Sequence, residues 1–196
     1  MLEYRPISLS NVVYKIISKV LANRLKAILP HLITENKSVF LSVRLITYNV
    51  LLAFELMHYL EHKRDGKDCF MAVKLDMSKV YDRVEWGFIE KVMERMDFHE
   101  RWISLVMHCI STISYSVLIN GVAYGSIIPT RGLHWGDPLS SYLFLLCVDG
   151  LSSLINNAAR NQRLSGISRC RGCLMVTHLF FADDNLFFCK ASTQEC

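Results

Sequence analysis

The stretch THLFFADDNLFF, residues 177–188, sets two adjacent aspartates, Asp183 and Asp184, among Leu179, Phe180, Phe181, Leu186, Phe187 and Phe188. A carboxylate held in apolar surroundings loses hydration, and its pKa rises unless a cation compensates. A polar surface loop would hold two aspartates at no cost, but these flanks are not polar. Two readings fit. One is a tight hairpin turn, since Asp and Asn favour turns. The other is a metal site on that turn, which needs a third carboxylate from elsewhere. Asp76 offers it, because CFMAVKLDM (69–77) is a second apolar run that closes at an acid. Strands paired in one sheet lie about 4.8 Å apart, so carboxylates at the ends of such a pair can share cations. Three aspartates with no basic residue adjacent suit Mg²⁺, a hard ion that prefers oxygen ligands. A pair of such ions about 3.5–4 Å apart is the arrangement that activates a 3′-hydroxyl and stabilises a leaving pyrophosphate. Asp82 is a further candidate, although a helix-cap role explains it better.

The rest of the chain must position these acids. With 196 residues it is long enough for one large domain or two intimate subdomains. Hydrophobic residues make up 52% and mean hydropathy is +0.24, which excludes a disordered chain. The most apolar stretch, SSYLFLLCVDGLSSL (140–154), is short and interrupted by Asp149 and serines, so it reads as a buried helix and no membrane partner is expected. MLEYRPISLS at the start has no signal-peptide pattern. Seven irregularly spaced cysteines suggest reduced thiols and an intracellular setting, without distinguishing nucleus from cytoplasm. A net charge of +4 permits a nucleic-acid partner without establishing one.

Periodicity supplies the elements. Residues 12–29 set Val12, Val13, Ile16, Ile17, Val20, Leu21, Leu25, Ile28 and Leu29 on one helical face, with Ser10 or Asn11 as cap and Pro30 as stop. Lys15, Lys19, Arg24 and Lys26 take the other face. A second helix runs from about Ile46 to Leu60, with Val50, Phe54, Met57 and Leu60 in period. After the strand at 69–77, Asp82 and Glu85 have capping-box spacing for a helix with Val84, Phe88, Ile89, Val92, Met93 and Met96 buried. A short helix fits 99–110, around Trp102, Val106 and Ile110. SYSVLINGVAYGSII (114–128) is a hairpin turning at Asn120-Gly121. Asp137-Pro138 opens a helix that is apolar almost all round through Leu154. The segment from about 166 to 189 reads as strands ending in the Asp-Asp hairpin. Helices and strands are mixed without a regular βαβ repeat, which points to α+β.

These stretches also carry a resemblance. FADD after an apolar strand, LDMSKVYD well upstream and RGLHWGDPLSSYLF between them resemble motifs C, A and B of reverse transcriptases. YRPISLSNVVYKIISKVLANRL and ENKSVFLSVRLITYN are similar to the preceding finger motifs, so the likeness covers the whole chain. It is nearest to the non-LTR (LINE-type) retrotransposon enzymes, especially the plant kind. The resemblance implies a right-hand polymerase with fingers over 1–68, palm with motif A over 69–98, a fingers-like helix and hairpin over 99–135, and palm with motifs B and C over 136–196. It implies RNA-directed DNA polymerase activity, with an RNA template, a DNA primer, dNTPs and two Mg²⁺ ions (or Mn²⁺) as partners. Asp76, Asp183 and Asp184 are then the catalytic metal ligands. Tyr81 lies under the incoming sugar, where its ring would clash with a 2′-hydroxyl. Gly136 lets the backbone approach the nucleotide. Arg5, Lys15 and Arg44 match finger positions near the triphosphate.

The chain departs from the pattern in places. Where the family usually has RQGDPLSP this chain has HWGDPLSS, so His134 replaces Arg and Trp135 replaces a Gln that faces the nucleotide. Losing that polar contact costs about 0.5–1.5 kcal/mol. Ser42, Val43 and Tyr48 replace the Pro, Gly and Asp of the finger segment, and Val80 takes a small-residue position of motif A. The chain stops soon after motif C, so the thumb is expected to be absent, as are endonuclease and RNase H regions. Met1 just before the first motif suits a decayed element. The expectation for the isolated chain is therefore a truncated, catalytically impaired remnant that binds nucleic acid weakly and self-associates through an exposed palm surface. CRGC (170–173) reads as a turn between strand cysteines, since no second pair completes a zinc site.

Overall fold

The computed structural model describes residues 11–33, 46–63, 69–76, 80–168, 175–181 and 184–192. The chain is mixed helix and strand, in line with α+β. It divides into two compact units, one made of residues 1–32 and 79–147, the other of residues 33–78 and 148–196.

The second unit holds a three-stranded antiparallel sheet of β1 (Phe70–Asp76), β5 (Asp184–Lys190) and β4 (His178–Phe181), in that order. The central strand β5 is apolar on both faces because both are covered. On one face Phe188, fully buried, and Leu186 join Leu179, Ile167 and Val176 in a core with Ala53 and Leu56 of α2 (Ile46–His62). On the other face, His178 is tied to the C-terminal half of α6 (Ser140–Arg160). Its Nε2 lies 2.7 Å from Ser152 Oγ and its Nδ1 lies 2.8 Å from Thr177 Oγ1. All three residues are buried, and the reciprocal bonds remove the cost of burying them. A bridge between Ile167 and Val176 extends the strand layer. A Cβ on Gly166 would stand 2.6 Å from the Val176 carbonyl oxygen, so only glycine lets these segments meet.

In the first unit, α4 (Trp86–Arg95) packs against α5 (Glu100–Ser111), and α1 (Val12–Leu32) packs on α5. His99 caps α5, its Nδ1 accepting from the Arg101 N–H. Strands β2 (Tyr115–Ile119) and β3 (Val122–Ile127) form the expected hairpin. Asn120 and Gly121 both take positive φ, 52° and 80°, the geometry a two-residue turn needs. The N-terminal half of α6 completes this unit. Among the described residues α6 is the one helix long and apolar enough to cross a membrane, yet Leu143 through Asp149 are buried within the protein. Burial pushes the Cys147 thiol up to about 12.

Five expectations are corrected. Helix α1 continues past Pro30 to Leu32, because a proline in the last turn forfeits one hydrogen bond instead of a whole ladder. Its buried residues are Ser18, Leu21, Ala22, Leu25 and Leu29, whereas Val12 and Ile16 are 72% and 60% exposed and Val13, Ile17, Val20 and Ile28 are exposed too. The helix is apolar over so much of its surface that period alone does not select the packed face. In α2, likewise, Asn49, Ala53 and Leu56 are buried while Phe54 is 72% exposed. Asp82 does not cap α4. It sits in a separate turn, α3 (Val80–Arg83), and Glu85 occupies the N-cap without a side-chain cap bond. Helix α6, finally, begins at Ser140 after a turn at Asp137–Leu139. CRGC and Val43 lie outside the described residues.

The α2 assignment is testable by chemical denaturation. Leu56→Ala is expected to cost about 2–5 kcal/mol, as buried truncations do. Phe54→Ala should stay within about 0.5 kcal/mol. Reversed magnitudes would restore the face read from the sequence.

Candidate active site

The acids come first. Strands β1 and β5 are antiparallel, with Phe70 opposite Lys190, Ala72 opposite Phe188, Lys74 opposite Leu186 and Asp76 opposite Asp184. Each step of two residues keeps the same face, so the register that buries Phe188 also ends both strands on an aspartate. The backbones of Asp76 and Asp184 are therefore cross-strand neighbours. Asp183 and the Asp76 side chain lie outside the described residues, and among the described residues no three acid, His or Cys side chains form a metal cluster.

A cation does meet Asp184. The Lys74 ammonium stands 3.1 Å from Asp184 Oδ1, with both side chains more than half exposed. This corrects the expectation that no basic residue adjoins the acids. The signal was available, because Lys74 precedes Asp76 by two and alternation puts both on one strand face. As an exposed pair the bridge contributes about 0–1 kcal/mol. It also places a positive charge against the Asp184 carboxylate, an oxygen donor of the type a hard divalent ion takes.

The motif B residues lie in the other unit. Tyr81 is half-buried between two rings: Phe144 of α6 stacks at 5.0 Å and Trp135 tilts against it at 4.8 Å. The Trp135 Nε1–H donates to Asp82 Oδ1 at 2.8 Å. Backbone bonds clamp the two segments, from Leu133 N to Tyr81 O (2.7 Å) and from Gly132 N to Val84 O (2.8 Å). Trp86 Nε1 adds a bond to the Gly132 carbonyl at 2.7 Å. Trp135 thus belongs to the packing that fixes Tyr81. Sequence reasoning missed the Trp135–Asp82 pair, and no short-range pattern links residues that far apart. Gly136 has φ +79°, and a Cβ there would meet nothing within 4 Å. Its positive φ favours glycine through backbone conformation. Lys15 is exposed on α1, while Arg5 and Arg44 lie outside the described residues.

Beneath this turn lies Asp137, buried and compensated by hydroxyls. Ser18 Oγ–H donates to Asp137 Oδ1, Ser140 Oγ–H donates to Oδ2 at 3.4 Å, and the Leu139 N–H donates to Ser18 Oγ at 3.3 Å. Burial, and then the Asp137 charge, raise the pKa values of Tyr14, Tyr115 and Cys109. His134, buried, has Nδ1 2.9 Å from the Tyr115 hydroxyl. Burial lowers its pKa below 6.5, opposed by Asp137.

The family model described as reverse transcriptase (RNA-dependent DNA polymerase) matches residues 1–195. The chain belongs to the reverse transcriptase family. Reverse transcriptases use divalent metal ions and bind a nucleic-acid template and primer. An uncharacterised mitochondrial protein of Arabidopsis thaliana is 48% identical over 67 residues, 34% of this chain and 55% of that protein. The uncharacterised 149 kDa protein of transposon TX1 from Xenopus laevis is 27% identical over 93% of this chain. The retrovirus-related Pol polyprotein from type-1 retrotransposable element R2 of Popillia japonica is 26% identical over 94%. The chain spans 13% and 24% of the lengths of those two retroelement proteins. The non-LTR, plant-like resemblance read from the motifs is borne out, and nothing in these matches favours the impaired remnant.

The His134 environment predicts a pH effect. Its folded pKa lies below its unfolded value near 6.5, so the unfolded state binds the proton first. Stability present above that value is lost as pH falls toward the folded pKa. The melting temperature of the wild-type chain should fall from about pH 7 to about pH 5 more steeply than that of His134→Gln. Parallel profiles would remove His134 from the account.

Proposed function

We propose that this reverse transcriptase chain is the RNA-directed DNA polymerase domain of a non-LTR retroelement, working inside the cell and extending a DNA primer on an RNA template. The observation that carries this reading is the β1–β5 register, which sets Asp76 against Asp184 in a chain matched by the family model over residues 1–195. In this reading β1, β4 and β5 belong to the palm, and the N-terminal segment and the β2–β3 hairpin belong to the fingers.

Asp76, Asp183 and Asp184 would hold two Mg²⁺ ions, which supply charge neutralisation for the primer 3′-hydroxyl and the triphosphate. The chain's own residues do the rest. Asp184 opens β5 beside the Lys74 ammonium, and a metal ion bound there would take the place of that ammonium. Tyr81, clamped between Phe144 and Trp135, offers a ring of fixed height against the sugar, and a fixed ring discriminates better than a mobile one. Gly136 sets the turn that carries Trp135, and the Asp137 anchor holds that turn to α1. Lys15, with Arg5 and Arg44, would meet the triphosphate.

Primer extension on an RNA template with dNTPs tests the assignment. Asp76→Asn and Asp184→Asn should each lower extension on the order of 100-fold or more, as loss of a charge-stabilising group in an active site does. Tyr81→Ala should raise ribonucleotide incorporation relative to deoxynucleotide. Extension that survives both aspartate changes would overturn the site, and unchanged sugar selectivity would overturn the role of Tyr81.

A further inference from the structure

Two surfaces of the first unit have complementary chemistry, and of their residues Lys15 alone also enters the active-site reading. One is the outer face of α1. Val12, Ile16 and Val20 follow one another at intervals of four residues, with Val13 and Ile17 beside them, and all are exposed. Lys15, Lys19 and Lys26 line one edge of this stripe, and Arg24 lies on its other side. Helix α1 contains no acidic residue. The helix is therefore apolar on two faces: Leu21, Ala22, Leu25 and Leu29 pack inward, and a second stripe faces out with cations alongside.

The other surface is a groove between α4 and α5, of about 920 Å³. Phe98, Ile103 and Met107 supply its apolar lining, and Glu90, Glu94, Asp97 and Glu100 its exposed charges. Glu90 and Glu94 are one helical turn apart, as are Ile103 and Met107, so acidic and apolar rows run side by side. No lysine or arginine lines the groove. A nucleic acid is repelled by four carboxylates, whereas an apolar helix edged with lysines matches both the lining and the charges. Such a helix is present in this same chain.

We infer that α1 of one copy docks in the α4–α5 groove of a second copy, with Val12, Ile16 and Val20 against Phe98, Ile103 and Met107, and with Lys15 and Lys19 facing Glu90 and Glu94. Each chain carries both surfaces, so in a two-fold dimer the contact would be made twice. Charge sets the register and the partner, and the apolar rows supply the burial. The interface uses helices of the first unit in place of the palm surface expected from the sequence.

The decisive experiment is sedimentation or light scattering of the intact chain over a range of concentration and salt, with paired charge reversals. The wild type should form a dimer that weakens as salt rises. Lys15→Glu with Lys19→Glu, and separately Glu90→Lys with Glu94→Lys, should each give a monomer at concentrations where the wild type is dimeric. An equal mixture of the two double variants should associate again, since each α1 then meets a groove of opposite sign in its partner. That recovery also shows that both variants are folded, and circular dichroism checks each one alone. A wild-type chain that stays monomeric throughout overturns the inference. So does a dimer indifferent to both reversals, or a mixture that fails to recover. Binding of a lysine-rich peptide by a monomeric chain would assign the groove to a different occupant.

Discussion

One register carries the arrangement. Strand β5 is buried on both faces, and its pairing with β1 decides which β1 residue stands opposite Asp184. A slip of one residue would turn the β1 side chains over, moving Ala72 and Phe70 away from the α2 side of the sheet. The apolar core beneath Phe188 thereby enforces the juxtaposition of two acids from distant parts of the chain. Acid placement is a by-product of burial: the sheet cannot satisfy its core and separate Asp76 from Asp184.

The polar groups inside the protein have a different task from the acids at the strand ends. Asp137 with Ser18 and Ser140, and His178 with Ser152 and Thr177, are directional ties within an otherwise apolar interior. Hydrophobic contact sets how tightly elements pack but tolerates rotation and sliding. A buried carboxylate that must reach a particular hydroxyl does not tolerate either. Ser18 on α1 is fully buried for this reason, and its position determines which face of α1 turns inward.

Much of this was legible in the sequence, and the failures share a cause. The strand ending at Asp76, the Asn120-Gly121 hairpin, α5 and the motif order could be read directly, because turn chemistry and strand termini are local signals. The packed faces of α1 and α2 could not. Val12, Ile16 and Phe54 are as apolar as Leu25 and Leu56, so pattern alone does not rank them. Lys74 was within reach of a simple alternation argument. The Trp135–Asp82 bond was not, since it depends on where two separate turns meet. For the same reason the bonding and stacking of Trp135, which stands where the family usually has Gln, were not legible in the sequence.

Helix α6 has a consequence for how the chain is made. The described ring partner of its first half, Tyr81 against Phe144, and the Ser18 hydroxyl that holds the turn before it have all been synthesised before α6 leaves the ribosome. The tie of its second half, Ser152 to His178, awaits a strand translated later. During that interval a helix apolar enough to enter a bilayer has only its leading half provided for. Vectorial synthesis therefore leaves the buried Ser152 hydroxyl without its His178 partner until β4 has emerged, and a pause in translation before β4 would prolong that interval.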